Sequence, residues 1–180
     1  MNVASAPLPV PASTNGTEGR ARCGIVLDLS DGKPLGLLLP TGSVAQLLRN
    51  VRATLVPNTP PWLCGLLNRH GNLVPLFDLP HYFGLAARAR CAHAVVVGDG
   101  EADAAFALPV AVEPRVLPPD MAHDDVRDAP HGLDGFVGAT YRHDGQRWYD
   151  FRFDLWLVRL AAGTAPASLI PSSSLEKKPA

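Results

Sequence analysis

The sequence predicts a mainly β protein folded as two small barrels with a few short helices. Apolar stretches are short and are broken by Gly, Pro and Asp at intervals of about 8 to 12 residues, the rhythm of small barrels rather than helix bundles. These stretches fall into four pairs, each joined by a tight, glycine-bearing turn, too many hairpins for one minimal sheet. A content of 47% hydrophobic and 18% charged residues supplies a core and leaves too little charge to hold the chain unfolded.

Taken in order, Gly24 to Leu29 and Lys33 to Leu39 form the first hairpin, turned at Ser30-Asp31-Gly32. Ser43-Val44-Ala45-Gln46 has the form of a capping box, in which the serine oxygen accepts an amide bond and Gln46 reaches back, so a helix of about two turns is expected there. Trp62 to Leu67 and Leu73 to Phe77 form the second hairpin around Asn68-Arg69-His70-Gly71. Asp78 opens a short helix that stops at Gly84. Ala94 to Val97 with Ala104 to Val110, and Gly135 to Tyr141 with Arg147 to Phe153, complete the set. Asp154 reads as the cap of a last helix ended by Gly163. Residues 1–20 and 162–180, rich in Pro and Ser, are expected to be flexible arms around a folded part at 21–161.

A length of 180 residues excludes two large domains, and sixteen Lys and Arg against seventeen Asp and Glu exclude the basic surplus that binding nucleic acid requires. Cys23, Cys64 and Cys91 are an odd, widely spaced set without a C-x-x-C pair, which fits the reducing cytoplasm. The first residues lack a secretion signal, and no apolar run of about 18 residues is present to enter a membrane. Phosphate, dinucleotide, esterase and zinc-protease motifs are all missing, so no catalytic residue, cofactor or metal is assigned.

Three features have competing readings. His123, Asp124, Asp125, Asp128 and His131 offer metal-ligand chemistry, but they lie in a proline-bounded polar stretch and read better as a solvated acidic loop. Cys64, set among Trp62, Leu63, Leu66 and Leu67, reads as a small buried hydrophobe rather than a reactive thiol. Charge is uneven: residues 1–90 hold eight Lys and Arg against four Asp and Glu, residues 91–160 six against twelve. Such a dipole either orients a partner or simply solvates two surfaces.

Residues Leu55 to Leu85 carry the most information. Pro60 and Pro61 hold the entry extended, and Gly65 inside a strand signals a bulge or the close approach of another backbone. Val74-Pro75-Leu76 places a proline that cannot donate to a ladder, which assigns it to an edge or bulge. The result is an irregular barrel end where another protein's strand or loop can dock.

This stretch resembles the CheW family of chemotaxis coupling proteins, whose pattern runs pro-x-x-pro, Gly-Val-x-Asn-Leu-Arg-Gly, x-Val-Pro-Val-x-Asp-Leu and Phe-Gly-Leu. Gly65, Asn68, Gly71, Val74, Pro75, Asp78, Leu79, Phe83, Gly84 and Leu85 stand at the matching offsets. The likeness covers about 140 residues and rests on about 30. It implies two five-stranded SH3-like barrel lobes without an active site, and a cytoplasmic scaffold in a two-component signalling system. Its implied partners are the regulatory domain of a CheA-like histidine kinase and the cytoplasmic tip of chemoreceptors, with partner contacts at Val44, Gln46, Gly65, Asn68, His70, Gly71 and Pro75. Nucleic acid and direct membrane insertion are not implied.

The chain departs from the family pattern at several points. The family's arginine before the turn glycine falls at His70, with Arg69 one place earlier, and its acidic residue falls at Gln46. A hydrogen bond between Gln46 and His70 is expected in place of an ion pair. Pro109 or Ala111 replaces an aspartate in Phe106 to Val112, and Trp148, Tyr149, Phe151 and Phe153 make an unusually aromatic strand that reads as core filling ahead of an exposed anchor. Three functions follow: an adaptor between receptors and a CheA-like kinase in swimming or twitching motility; a diverged adaptor of another signalling pathway; and a small metal-dependent enzyme using the His123 to His131 loop.

Overall fold

The computed structural model describes residues 21–29, 32–85, 92–98, 105–125, 129–130 and 132–163. The expectations for segments 1–20 and 164–180, and for Ser30, Asp31, Cys91, Asp128 and His131, lie outside those residues.

The described residues form β1 (Arg22–Asp28), β2 (Pro34–Leu38), β3 (Ala45–Arg49), β4 (Leu63–Arg69), β5 (Asn72–Phe77), α1 (Leu79–Tyr82), β6 (His93–Val97) and β7 (Phe106–Val110). They continue through β8 (Arg115–Leu117), β9 (Ala122–His123), a 3-10 turn at Asp134–Phe136, β10 (Val137–His143), β11 (Gln146–Phe151) and α2 (Phe153–Ala161). Two sheets result, ordered β8-β1-β2-β11-β10-β9 and β3-β6-β7-β5-β4. The mainly β, two-lobed expectation holds, with one sheet gaining a sixth strand in the two-residue β9. All four hairpin pairs form as antiparallel neighbours.

Burial explains why the strands are so apolar. In β6, Val95 and Val97 enter a large central core while Ala94 and Val96 enter a second cluster with Cys64, Leu67, Val74, Leu76 and Ala107. In β1 and β2, Ile25, Leu27, Leu35 and Leu37 face the central core, whereas Val26 and Leu38 join Leu117, Met121 and Trp148 in a third. Each sheet therefore curls around a cluster of its own and shares the central core with the other. A strand covered on both faces loses the polar alternation of a half-exposed one.

The aromatic strand is core. Trp148, Tyr149, Phe151 and Phe153 are all buried, and the Trp156 side chain of α2 is fully enclosed among Phe77, Phe106, Phe151 and Phe153 rings. The Trp148 indole is admitted by missing side chains: a Cβ at Gly24 would lie 2.5 Å from its ring, and one at Gly36 would lie 2.9 Å from it.

Three expectations are corrected. Ser43 caps no helix: its hydroxyl and its N–H both bond Pro40 C=O, at 2.8 and 3.1 Å, and Ala45–Arg49 is a strand paired residue by residue with β6. Buried Ala45 and Leu47 recur at period two, and that face outweighs the local capping pattern. Pro75 is not on an edge, since β5 lies between β4 and β7; it is accommodated because β5 meets β7 in register only at Leu76 and Ala107. Asp154 is inside the first turn of α2, whose cap position is Arg152, and it bonds the Arg152 guanidinium at 2.9 Å. The linear charge asymmetry does not divide the sheets, because strands from both halves interleave in each, and ion pairs Arg22–Asp150 and Arg49–Glu113 cross between the halves.

Candidate functional site

Register brings most of the expected docking residues to one end of the five-stranded sheet. Ala45 is level with Val97, and Val97 with Phe106, while β5 runs parallel to β7 with Leu76 level with Ala107. The turn at His70-Gly71 therefore projects beyond the same end as Val44. Gly98 N–H donates to Val44 C=O at 2.9 Å, which extends the β3–β6 pairing by one step toward that end.

The turn is built by its own sequence. His70 and Gly71 have φ of 52 and 93°, the left-handed pair that a two-residue hairpin needs. Asn68 Oδ1 accepts the Gly71 N–H at 2.9 Å and fixes the loop. Val44, Asn68, His70 and Gly71 are exposed, so this end presents an apolar side chain at the entry to β3 and a rigid polar turn between β4 and β5, three strands along in the sheet order.

Gly65 plays an internal part. It is buried at φ 137°, and a Cβ there would stand 2.5 Å from Thr54 O. The expected close approach of another backbone is thus the passing Thr54, which exchanges two hydrogen bonds with Leu66 at 2.8 and 2.9 Å and covers the β4 edge at that point. Gly65 and half-buried Pro75 shape the barrel behind the exposed residues.

Strand alternation and exposure add Arg69 and Leu73 to the contacts expected from the sequence. Leu67 lines the inner cluster and Leu48 packs against it, so Arg69 and Gln46, two places along from each, fall on that same inward face at the same end. His70, at the exposed turn, belongs to neither face. Counting by two from Leu67 is the signal that identifies Arg69 rather than His70 as the residue on Gln46's face. Leu73, paired with Asn68 and 65% exposed, puts an apolar side chain on the outer face directly beside the turn.

Electrostatics at this sheet are simple. None of its five strands carries a carboxylate, and Glu113, from the link to the other sheet, bonds Arg49 and is held below the usual carboxylate range by that hydrogen bond and charge. Cys64 is buried in the inner cluster, as expected of a small hydrophobe. In the other sheet, burial pushes the Cys23 thiol up to about 11, so it is no nucleophile at neutral pH.

Of the His123 stretch, His123 and Asp125 are exposed, as expected of a solvated loop, whereas Asp124 is not. His123 lies on β9, and the Asp124 side chain is 92% enclosed and accepts from Arg142 and Arg147, each at 3.0 Å. That carboxylate is committed to two guanidinium groups, and among the described residues no three His, Cys, Asp or Glu side chains gather as a metal-holding group. A separate open cleft of about 480 Å³ lies beside the β10 bulge, lined by Ala129, Asp134, Val137, Gly138 and Thr140, and contains none of the expected docking residues. No helix among the described residues is long and apolar enough to cross a membrane.

Comparison with known proteins agrees with this geometry. Among solved structures the chain is similar to the scaffolding protein TtCheW from Thermoanaerobacter tengcongensis, at 21% identity over 73% of this chain and 88% of that one, with a TM-score of 0.55. No curated protein matches it. The family model described as the CheW-like domain matches residues 24–150, a span that takes in residues of all eleven strands and the Asn68 to Pro75 turn. By that match the chain belongs to the CheW-like domain family.

Proposed function

We propose that this protein is a non-enzymatic cytoplasmic adaptor that couples chemoreceptors to a CheA-like histidine kinase in chemotaxis or twitching motility. The observation that carries the reading is the end of the five-stranded sheet at which Val44, Asn68, His70 and Gly71 are all exposed, the turn fixed by its own Asn68–Gly71 hydrogen bond. A docking surface needs little more than an apolar anchor with preorganised polar surroundings. Family membership supports the same reading, as does a fold shared with a scaffolding protein. The kinase's regulatory domain and the receptor's cytoplasmic tip are the partners proposed.

A second reading, an adaptor for another signalling pathway, draws on Gln46 and His70, where the resemblance leads one to expect charges of opposite sign. Binding decides between the two. Purified protein is expected to retain a CheA-like kinase regulatory domain in a pull-down, and Val44→Glu to weaken that complex by about tenfold, or 1.4 kcal/mol. Because Val44 is exposed, the variant is expected to melt within a few degrees of the parent. Capture of the kinase domain with equal strength by parent and variant would remove Val44 from the surface; no capture of a CheA-like domain by either favours the second reading.

A further inference from the structure

One face of the β4–β5 hairpin is left open by the described residues. Leu67, Val74 and Leu76 enter the inner cluster, and Val51 and Ala53 pack against it from the segment before β4. Alternation therefore turns Leu66, Asn68, Leu73 and Pro75 to the opposite face, together with Arg52 and Thr54. Thr54, Leu66 and Pro75 stand level across the three chain segments, and Asn68 stands level with Leu73. Continuing the antiparallel Thr54–Leu66 pairing by two residues brings Arg52 level with Asn68.

These six residues make a patch with two kinds of contact. Leu73, 65% exposed, adjoins half-buried Leu66 and Pro75, so the apolar surface is continuous rather than one stray side chain. Arg52, Thr54 and Asn68 are exposed beside it. Arg52 is the one charged residue of the six and joins none of the ion pairs among the described residues. Neighbouring strands lie about 4.8 Å apart, so the chain at Arg52 runs about 10 Å from the chain at Leu73. A complementary surface has an apolar side chain and, at that separation, a carboxylate.

We propose that the kinase regulatory domain meets this face with an apolar side chain over Leu66 and Leu73 and a carboxylate opposite Arg52; the inference rests on the adaptor reading above. Titration calorimetry of the full chain with a CheA-like kinase regulatory domain, at about 50 mM and about 500 mM NaCl, tests it. Leu73→Ser is expected to weaken the complex at least about tenfold at both salt concentrations, because salt does not screen an apolar contact. Arg52→Glu is expected to weaken it about tenfold at the lower concentration and little at the higher, and Arg52→Lys to bind within about threefold of the parent. Both positions are exposed, so the variants should melt within a few degrees of the parent. Parent-like affinity of either Leu73→Ser or Arg52→Glu would overturn the proposal and leave the adaptor reading in place, whereas no binding of the domain by the parent would overturn both. A dimer in sedimentation that Leu73→Ser disperses would also overturn it, because a second copy would then be the occupant.

Discussion

Replacing Gly65 by valine is expected to lower stability by roughly 2–6 kcal/mol, combining left-handed backbone strain with loss of two backbone hydrogen bonds. At φ 137° a branched side chain is strained in any surroundings, and its Cβ would stand 2.5 Å from Thr54 O, a backbone atom that cannot turn aside as a side chain does. The passing strand must move, and the Thr54–Leu66 pairing opens with it. Thermal unfolding followed by circular dichroism measures the loss. Thr54→Ala is the informative comparison: it keeps the backbone that pairs with Leu66 and is expected to cost less than about 1 kcal/mol at this exposed position. A Gly65→Val variant as stable as the parent would mean that the two backbones are not in contact.

Trp156→Ala is expected to cost about 3–5 kcal/mol and to lower the melting temperature by more than about 10 °C. Its indole is 0% exposed and has edge-on or tilted aromatic neighbours from β5, β7, β11 and α2, so one truncation empties the centre of the core shared by both sheets. Since domains of this kind have about 5–15 kcal/mol in total, the variant sits near the limit of folding. Trp156→Phe should retain most of the stability, because the ring contacts persist and the indole N–H, buried without a hydrogen-bond partner, is removed. Equal losses for the two variants would contradict this account of the core.

Local chemistry was legible in the sequence wherever a residue type has one use. Gly71 at the second hairpin turn and Asp78 at the start of α1 were placed correctly because positive φ and helix capping admit few residues. Gly65 was read as a bulge or a close backbone approach, and both occur there, although nothing in the chain pointed to Thr54 as the other side. The capping pattern at Ser43 misled because it describes four residues, while the fate of Ala45–Arg49 is set by β6, more than forty residues later. The parallel pairing of β2 with β11, which closes the six-stranded sheet across more than a hundred residues, leaves no trace in periodicity. For Pro75 the missing donor pointed to an edge or a bulge: the edge was wrong, since β5 is interior, whereas the β4–β5 register does shift one residue away, opposite Leu76 and Phe77, and β5 is in register with β7 only at Leu76. At the candidate site, the Asn68 to Gly71 turn was evident from its residue types. The inward face shared by Gln46 and Arg69 emerged only with the register, since a shift of one residue exchanges the two faces of a strand.

The proposal stands or falls on where a signalling partner touches the protein. Amide hydrogen exchange of the full chain, with and without a CheA-like kinase regulatory domain, measures that contact directly. The account predicts slowed exchange in residues 44–48 and 66–75 while the 129–140 cleft is unchanged; protection confined to that cleft, or to the six-stranded sheet, would contradict it.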